Sequence, residues 1–195
     1  MIRPLYDWTL GLAAKPYAFW ALALVAFAES SFFPIPPDVL IIPMVLAARD
    51  KAWKIALVCS IASVFGGIAG YGIGHFLFDA VGMPILEFYG AVQKFEAIKA
   101  LYNEYGALIV FSAGFSPIPY KVFTIASGVT AMDPATFAVA SFVGRAGRFF
   151  LVAALLWKFG DPIRAFIEAH LGKLSLIFVV LLVAGFVLIK YVLVH

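Results

Sequence analysis

The chain has 195 residues, of which 64% are hydrophobic and only 13% charged, with a formal net charge of +3. Soluble domains carry about 25% charged residues, and a mean hydropathy of +1.02 implies exposed apolar area that water does not tolerate. Composition therefore excludes a soluble globule and fits one domain of about four to six membrane-inserted segments. The basic residues form no continuous run, which argues against nucleic acid and for anionic lipid head groups. The single cysteine, Cys59, excludes an intrachain disulfide and a cysteine-rich metal site and reads as a packing residue.

Residues 1–16 form a mixed N-terminal segment containing Arg3, Asp7, Lys15 and Pro16. Residues 17–28 form an apolar helix too short to cross a core of roughly 30 Å at about 1.5 Å per residue. Ala26-Phe27-Ala28 has the form of a signal-peptide cleavage site. Glu29 and the motif after it need the helix before them, so we read the segment as retained. Pro34, Pro36 and Pro37 then break the helix, because proline lacks a donor and clashes with the preceding turn. A second apolar run, Val39–Ala48, ends at Arg49-Asp50-Lys51. Two half-length apolar runs joined by a proline break predict a re-entrant hairpin over 17–48, whose irregular backbone must be surrounded by protein or water.

Residues 53–78 are long enough to span, and Gly66, Gly70 and Gly74 lie on one face. Glycines four apart admit a neighbouring backbone; a lipid lying in that groove is the other reading. His75, at the end of the ladder, reads as an interfacial residue rather than a proton relay. Val92, Phe95, Ile98, Leu101 and Tyr105 recur at helical spacing among charged residues, predicting an amphipathic surface helix over 92–105. A second hairpin is expected over 106–132, broken at Pro117 and Pro119, followed by a span over 134–157. A polar loop and an apolar anchor over 174–193 complete the chain, with 17–158 as the core and 159–195 as the loop and final span.

The two proline breaks resemble each other. Pro34-Ile-Pro-Pro-Asp38-Val-Leu40 matches Pro117-Ile-Pro-Tyr-Lys121-Val-Phe123, and each precedes a span containing Ala-Ser-x-x-Gly. The expected fold is an all-α polytopic membrane protein made of two inverted repeats. Each repeat is a re-entrant hairpin followed by a transmembrane helix, and a surface amphipathic helix and a C-terminal span are added. Inverted repeats with broken helices are the architecture of secondary transporters. Arg3, Lys15, Arg49, Lys51, Lys54, Lys158, Arg164 and Lys173 fall on one face, which the positive-inside rule places in the cytoplasm.

Five ionisable residues stand in apolar sequence at membrane depth: Glu29, Asp38, Lys121, Arg145 and Arg148. Each costs roughly 2.5–3.5 kcal/mol or more if unpaired at a helix centre, so they must face one another or a wet cavity. Asp38 and Lys121 occupy matching repeat positions and are expected to approach. Lys121, Arg145 and Arg148 are candidate ligands for an anionic phosphate, which suits the guanidinium fork. Glu29 and Asp38 are candidate proton carriers or ion-pair partners, because carboxyl ionisation responds to burial and to neighbouring cations.

These residues carry a resemblance. Glu29 before Phe33-Pro34-x-Pro36, Gly66-Gly67-x-x-Gly70-Tyr71-x-x-Gly74, Phe115-x-Pro117-x-Pro119-Tyr120-Lys121 with Ala126-Ser127-Gly128, and Gly144-Arg145 are similar to motifs of the DedA superfamily. Its members are also called SNARE-associated or VTT-domain proteins, and the chain most resembles the YqaA-type branch. The resemblance implies a multi-pass protein of the bacterial inner membrane that moves a phospholipid or undecaprenyl phosphate between leaflets, linked to the proton-motive force. It implies that Glu29 and Asp38 are the family's acidic pair. Typical members carry two arginines around the second hairpin's proline. Here Lys121 stands at the later position and Gly114-Phe115 at the earlier, leaving Arg145 and Arg148 to take that role.

Three readings follow: a flippase or scramblase for a phosphate-bearing lipid, a proton-coupled antiporter or exporter of small cations or drugs, and a non-transporting scaffold whose charges only hold the fold. The expected partners are a phospholipid or polyprenyl phosphate and protons, with a homo-oligomer compatible and no cofactor. No Gly-x-Ser-x-Gly or His-Glu-x-x-His occurs, and His75, His170 and His195 form no metal-binding pattern, so the chain does not read as an enzyme.

Overall fold

The computed structural model describes residues 17–33, 36–88, 90, 92–116, 118–160 and 162. The N-terminal segment, Pro34, Pro117 and the expected C-terminal span lie outside these residues. Among the described residues every regular element is helical: α1 (Ala18–Ser31), α2 (Asp38–Ala47), α3 (Ala52–Leu77), α4 (Met83–Phe88), α5 (Val92–Phe115), α6 (Tyr120–Val129) and α7 (Pro134–Gly160). A short 3-10 turn at Arg49–Lys51 leads into α3, and a π-helical turn at Phe78–Gly82 joins α3 to α4.

Among the described residues two helices are long and apolar enough to cross a membrane: the continuous run Arg49–Phe88 and α7. They run antiparallel. Trp53, near the start of α3, lies 6.1 Å from both Phe150 and Trp157 near the end of α7, while Tyr71 meets Phe137 at 5.2 Å. α7 starts where it does because Asp133 caps it, accepting from the Thr136 N–H and hydroxyl, both at 2.7 Å. Those two bonds hold the exposed Asp133 carboxyl below its ordinary range.

The half-length helices pack along these two. α1 accompanies the first half of α3: Phe19 lies beneath Lys54 at 5.1 Å, and the Phe27 and Ser30 carbonyls lie at Gly66 and Gly70. Phe32 and Phe33 both donate to the Ala28 carbonyl, closing α1 (2.9 and 2.8 Å). The chain then turns through Pro36 and Pro37, and Pro37 stands at the N-cap of α2. α6 begins beyond Pro119, whose φ of −59° is set by its ring. It covers the second half of α3, with Tyr120 at Gly67, Thr124 at Gly70 and Ile125 at Gly74. α1 and α6 thus meet end to end on α3, where the Thr124 hydroxyl donates to the Ser30 carbonyl at 3.1 Å. α5 packs on the first half of α7, with the Phe111 carbonyl at Gly144.

The core divides accordingly. Leu22, Ile41, Val45, Ile55 and Cys59 bury with Phe149 and Ala153 of α7, and Tyr102, Val110 and Tyr120 bury with Phe137 and Ala140. The outer surface is apolar as well, with Trp20, Leu24, Phe65, Phe76 and Val139 well exposed. Such a surface suits lipid and not water.

Two expectations change. The predicted surface helix and the first arm of the second hairpin are one helix, α5. Gly106 does not break it, because the space a side chain would take is filled by Met132, and that packing outweighs a glycine penalty of about 1 kcal/mol. The glycine ladder is not open to lipid: a Cβ at Gly66 would fall on the Phe27 carbonyl oxygen, and one at Gly74 on that of Ile125.

Candidate functional site

The ends of α1, α2, α5 and α6 meet near the middle of α3 and α7, and Glu29, Asp38, Arg145 and Arg148 gather there. Glu29 lies in the last turn of α1, where the helix dipole disfavours an anion, and Asp38 opens α2, where the dipole favours one. Arg145 and Arg148, three apart on α7, face them. Arg145 pairs with Glu29 through Nη2 and Oε2, and Arg148 Nη2 donates to Asp38 Oδ2 at 2.7 Å.

The first pair is the inner one. The Arg145 side chain is 2% exposed and Glu29 14%. Arg145 Nε also donates to Ser63 Oγ, and the Ser63 and Ser30 hydroxyls lie 2.7 Å apart. Ser30 Oγ in turn donates to Glu29 Oε2 at 3.2 Å. Glu29, Ser30, Ser63 and Arg145 therefore close a ring of hydrogen bonds. The guanidinium carbon stands over the rings of Tyr120 (4.9 Å) and Phe149 (4.6 Å), a contact that holds a cation without neutralising it. Tyr120 is fixed by donating to Ser141 Oγ.

The second pair is more open, with Arg148 19% and Asp38 22% exposed. Arg148 Nη1 donates to the Ser116 carbonyl at 2.8 Å, just past the end of α5. One arginine thus joins the start of α2 to the end of α5.

The expected approach of Asp38 to Lys121 is not what the structure holds: Asp38 pairs with Arg148. Lys121 is half-buried in the first turn of α6, and among the described residues no ion pair engages it. The physical reason is reach and rigidity. Arg148 carries a fork that serves the Asp38 carboxylate and the Ser116 carbonyl together. Pro36, Pro37 and Pro119 set the turns, while Gly66, Gly70 and Gly74 let α1 and α6 approach α3. His75 is exposed and stacks on Tyr71 at 6.0 Å, away from the charges.

Sequence reasoning missed Ser30, Ser63 and Tyr120 as members of the site. The available signal was a pair of serines beside Glu29 in an apolar helix, and a serine one turn before Gly66. Buried hydroxyls elsewhere bond back to their own helices, as Ser60 does to the Ala56 carbonyl and Ser127 to that of Phe123 (both 2.7 Å). Ser63 instead serves Arg145.

The VTT domain matches residues 35–158. An uncharacterized protein of Haemophilus influenzae is 39% identical over 186 residues, covering 95% of this chain and 96% of its own length. An uncharacterized protein of Histophilus somni is 39% identical over 168 residues, covering 84% of this chain and 87% of its own. A third, from Methanocaldococcus jannaschii, is 29% identical over 132 residues, covering 67% and 79%. No solved structure matches the chain. With that domain covering well over half of its length, from the turn before α2 almost to the end of α7, the chain belongs to the VTT-domain family of membrane proteins, the DedA or SNARE-associated group.

Proposed function

We propose that this protein moves a phosphate-bearing lipid, such as a phospholipid or a polyprenyl phosphate, between leaflets together with protons carried on Glu29 and Asp38. The observation that carries this reading is the pairing of both α7 arginines with carboxylates from α1 and α2, at the level where the half-helices end. A carboxylate and a phosphate compete for the same guanidinium fork. Protonating Glu29 or Asp38 frees an arginine for a phosphate, and deprotonation on the other side reclaims the arginine and expels the head group. The buried charge stays balanced at each stage, as a low-dielectric interior requires. Lys121 supplies further positive charge beside the site.

In this reading α3 and α7 cross the bilayer, and the hairpins are re-entrant arms of two inverted repeats. The matched crossings support it: Phe27 lies on Gly66 of one span and Phe111 on Gly144 of the other. Arg49, whose guanidinium lies against Gly160, gathers with Lys54 and Lys158 at one end of the molecule. The positive-inside rule makes that end cytoplasmic in a bacterial inner membrane. The antiporter reading has less support, because a cation substrate would have to displace a guanidinium from each carboxylate.

The test is reconstitution into phosphatidylcholine vesicles with a fluorescent phosphatidylglycerol, following inner-leaflet probe as it becomes open to an external quencher. The protein is expected to accelerate that exposure, and Arg148→Gln to abolish the acceleration while remaining monodisperse. Unchanged transport by folded Arg148→Gln, or equal transport of a phosphate-free probe, would overturn the proposal.

A further inference from the structure

With the glycine ladder covered by α1 and α6, the tail of any bound lipid must lie elsewhere. A second groove runs between α5 and α7. Ala107 and Phe111 line one side, and Ala135, Val139, Ala140 and Val143 the other. Its one polar lining residue, Thr136, has its hydroxyl committed to Asp133 at 2.7 Å. The groove has a volume of about 510 Å³, within the roughly 300–1,000 Å³ of small-ligand sites. It is open to the outside, since Val139 is 65% exposed.

Its course connects it to the charges. Phe111 stacks on Phe115 at 6.2 Å, and the Phe115 ring lies 3.6 Å from where a Cβ of Gly147 would stand. The next residue, Arg148, reaches the Ser116 carbonyl. The α5 wall therefore continues from Phe111 through Phe115 to Ser116, whose carbonyl Arg148 holds, five residues beyond Val143 on α7. An apolar slot whose α5 wall continues to a carbonyl held by a partly exposed guanidinium is complementary to an amphipathic anion.

We propose that this groove holds one acyl chain of the lipid whose phosphate meets Arg148. The proposal rests on the lipid-transport reading and adds the path of the tail and the side of entry, between α5 and α7.

The test uses the full chain in phosphatidylcholine vesicles containing phosphatidylglycerol with a photoactivatable diazirine near the end of one acyl chain. Diacylglycerol with the same chain is the phosphate-free comparator, and labelled residues are mapped by mass spectrometry. Labelling is expected to concentrate on residues 107–111 and 135–143 and to weaken several-fold with diacylglycerol. Val139→Trp, which fills the groove from an exposed position and leaves the fold intact, is expected to remove it. Labelling no denser there than around Leu24 and Phe65, or unchanged by Val139→Trp, or equal with diacylglycerol, would overturn the proposal. Groove labelling without leaflet exchange would sustain the groove and sink the transport reading. Leaflet exchange without groove labelling would sink the groove alone.

Discussion

Replacing Arg145 with glutamine removes a guanidinium that joins α7 to α1 and α3 at once. The variant loses the ion pair to Glu29 and the bond to Ser63, together with the cation's contact with Tyr120 and Phe149. Removing one partner of a buried pair costs about 3–5 kcal/mol, because the other charge is left uncompensated. Glu29 is 14% exposed and retains the Ser30 hydroxyl, which places the expected cost near the lower end, about 3 kcal/mol. For a chain of this size that is a fall in Tm of roughly 6–12 °C. Glu29→Gln keeps an amide oxygen as acceptor but leaves the more deeply buried Arg145 uncompensated, and should cost at least as much, about 3–5 kcal/mol. The double variant Glu29→Gln/Arg145→Gln buries no charge at all. It should be more stable than the sum of the two single changes by about 1–3 kcal/mol. Thermal unfolding in detergent, followed by tryptophan fluorescence, reads all three. A loss below about 1 kcal/mol for Arg145→Gln, or an additive double variant, would refute the reasoning.

Gly66→Ala and Gly74→Ala should each destabilise by about 1–3 kcal/mol, because the new methyl meets backbone that cannot move aside. Gly72→Ala, on the same helix but with nothing nearer than the Phe76 ring at 3.9 Å, should instead stabilise by up to about 1 kcal/mol through helix propensity; melting temperatures of the three variants decide it. Ser63→Ala removes a neutral acceptor from a buried cation and should cost about 1.5–3 kcal/mol, whereas Ser60→Ala, which loses only a bond to its own helix, should cost about 1 kcal/mol or less by the same unfolding measurement. Ala131 has φ of 52° in the turn between α6 and α7, so Ala131→Gly should stabilise by roughly 1 kcal/mol, seen as a raised Tm.

Much of the site was legible because charge in apolar sequence is conspicuous. Glu29, Asp38, Arg145 and Arg148 stand out against their neighbours, and two opposite pairs satisfy the demand that buried charge be compensated. Which acid meets which base was not legible. Repeat matching put Asp38 beside Lys121, but the partner is set by the reach of Arg148 along α7 and by the carbonyl at Ser116. The half-length helices were readable from Pro36, Pro37 and Pro119, since proline acts locally. The continuity of α5 was not, since a single glycine costs a helix only about 1 kcal/mol and the Met132 side chain packed at Gly106 is distant in sequence. The glycine ladder announced close packing but could not say what packs there. The covering backbones are those of α1 and α6, and knowing this moves the candidate lipid tail to the other side of α7. The roles of Ser30, Ser63 and Tyr120 were hidden because a hydroxyl in an apolar helix usually bonds its own preceding turn.

The most direct test is the pH dependence of leaflet exchange for a fluorescent phosphatidylglycerol in reconstituted vesicles, comparing the parent with Glu29→Gln/Asp38→Asn. Exchange by the parent should quicken as the pH falls on the side from which the lipid departs, as protons free Arg145 and Arg148. The double variant, whose two side chains stay uncharged at every pH, should show no such response. Identical pH profiles in the two proteins, or a parent indifferent to pH, would contradict the exchange of carboxylate for phosphate on which the account is built.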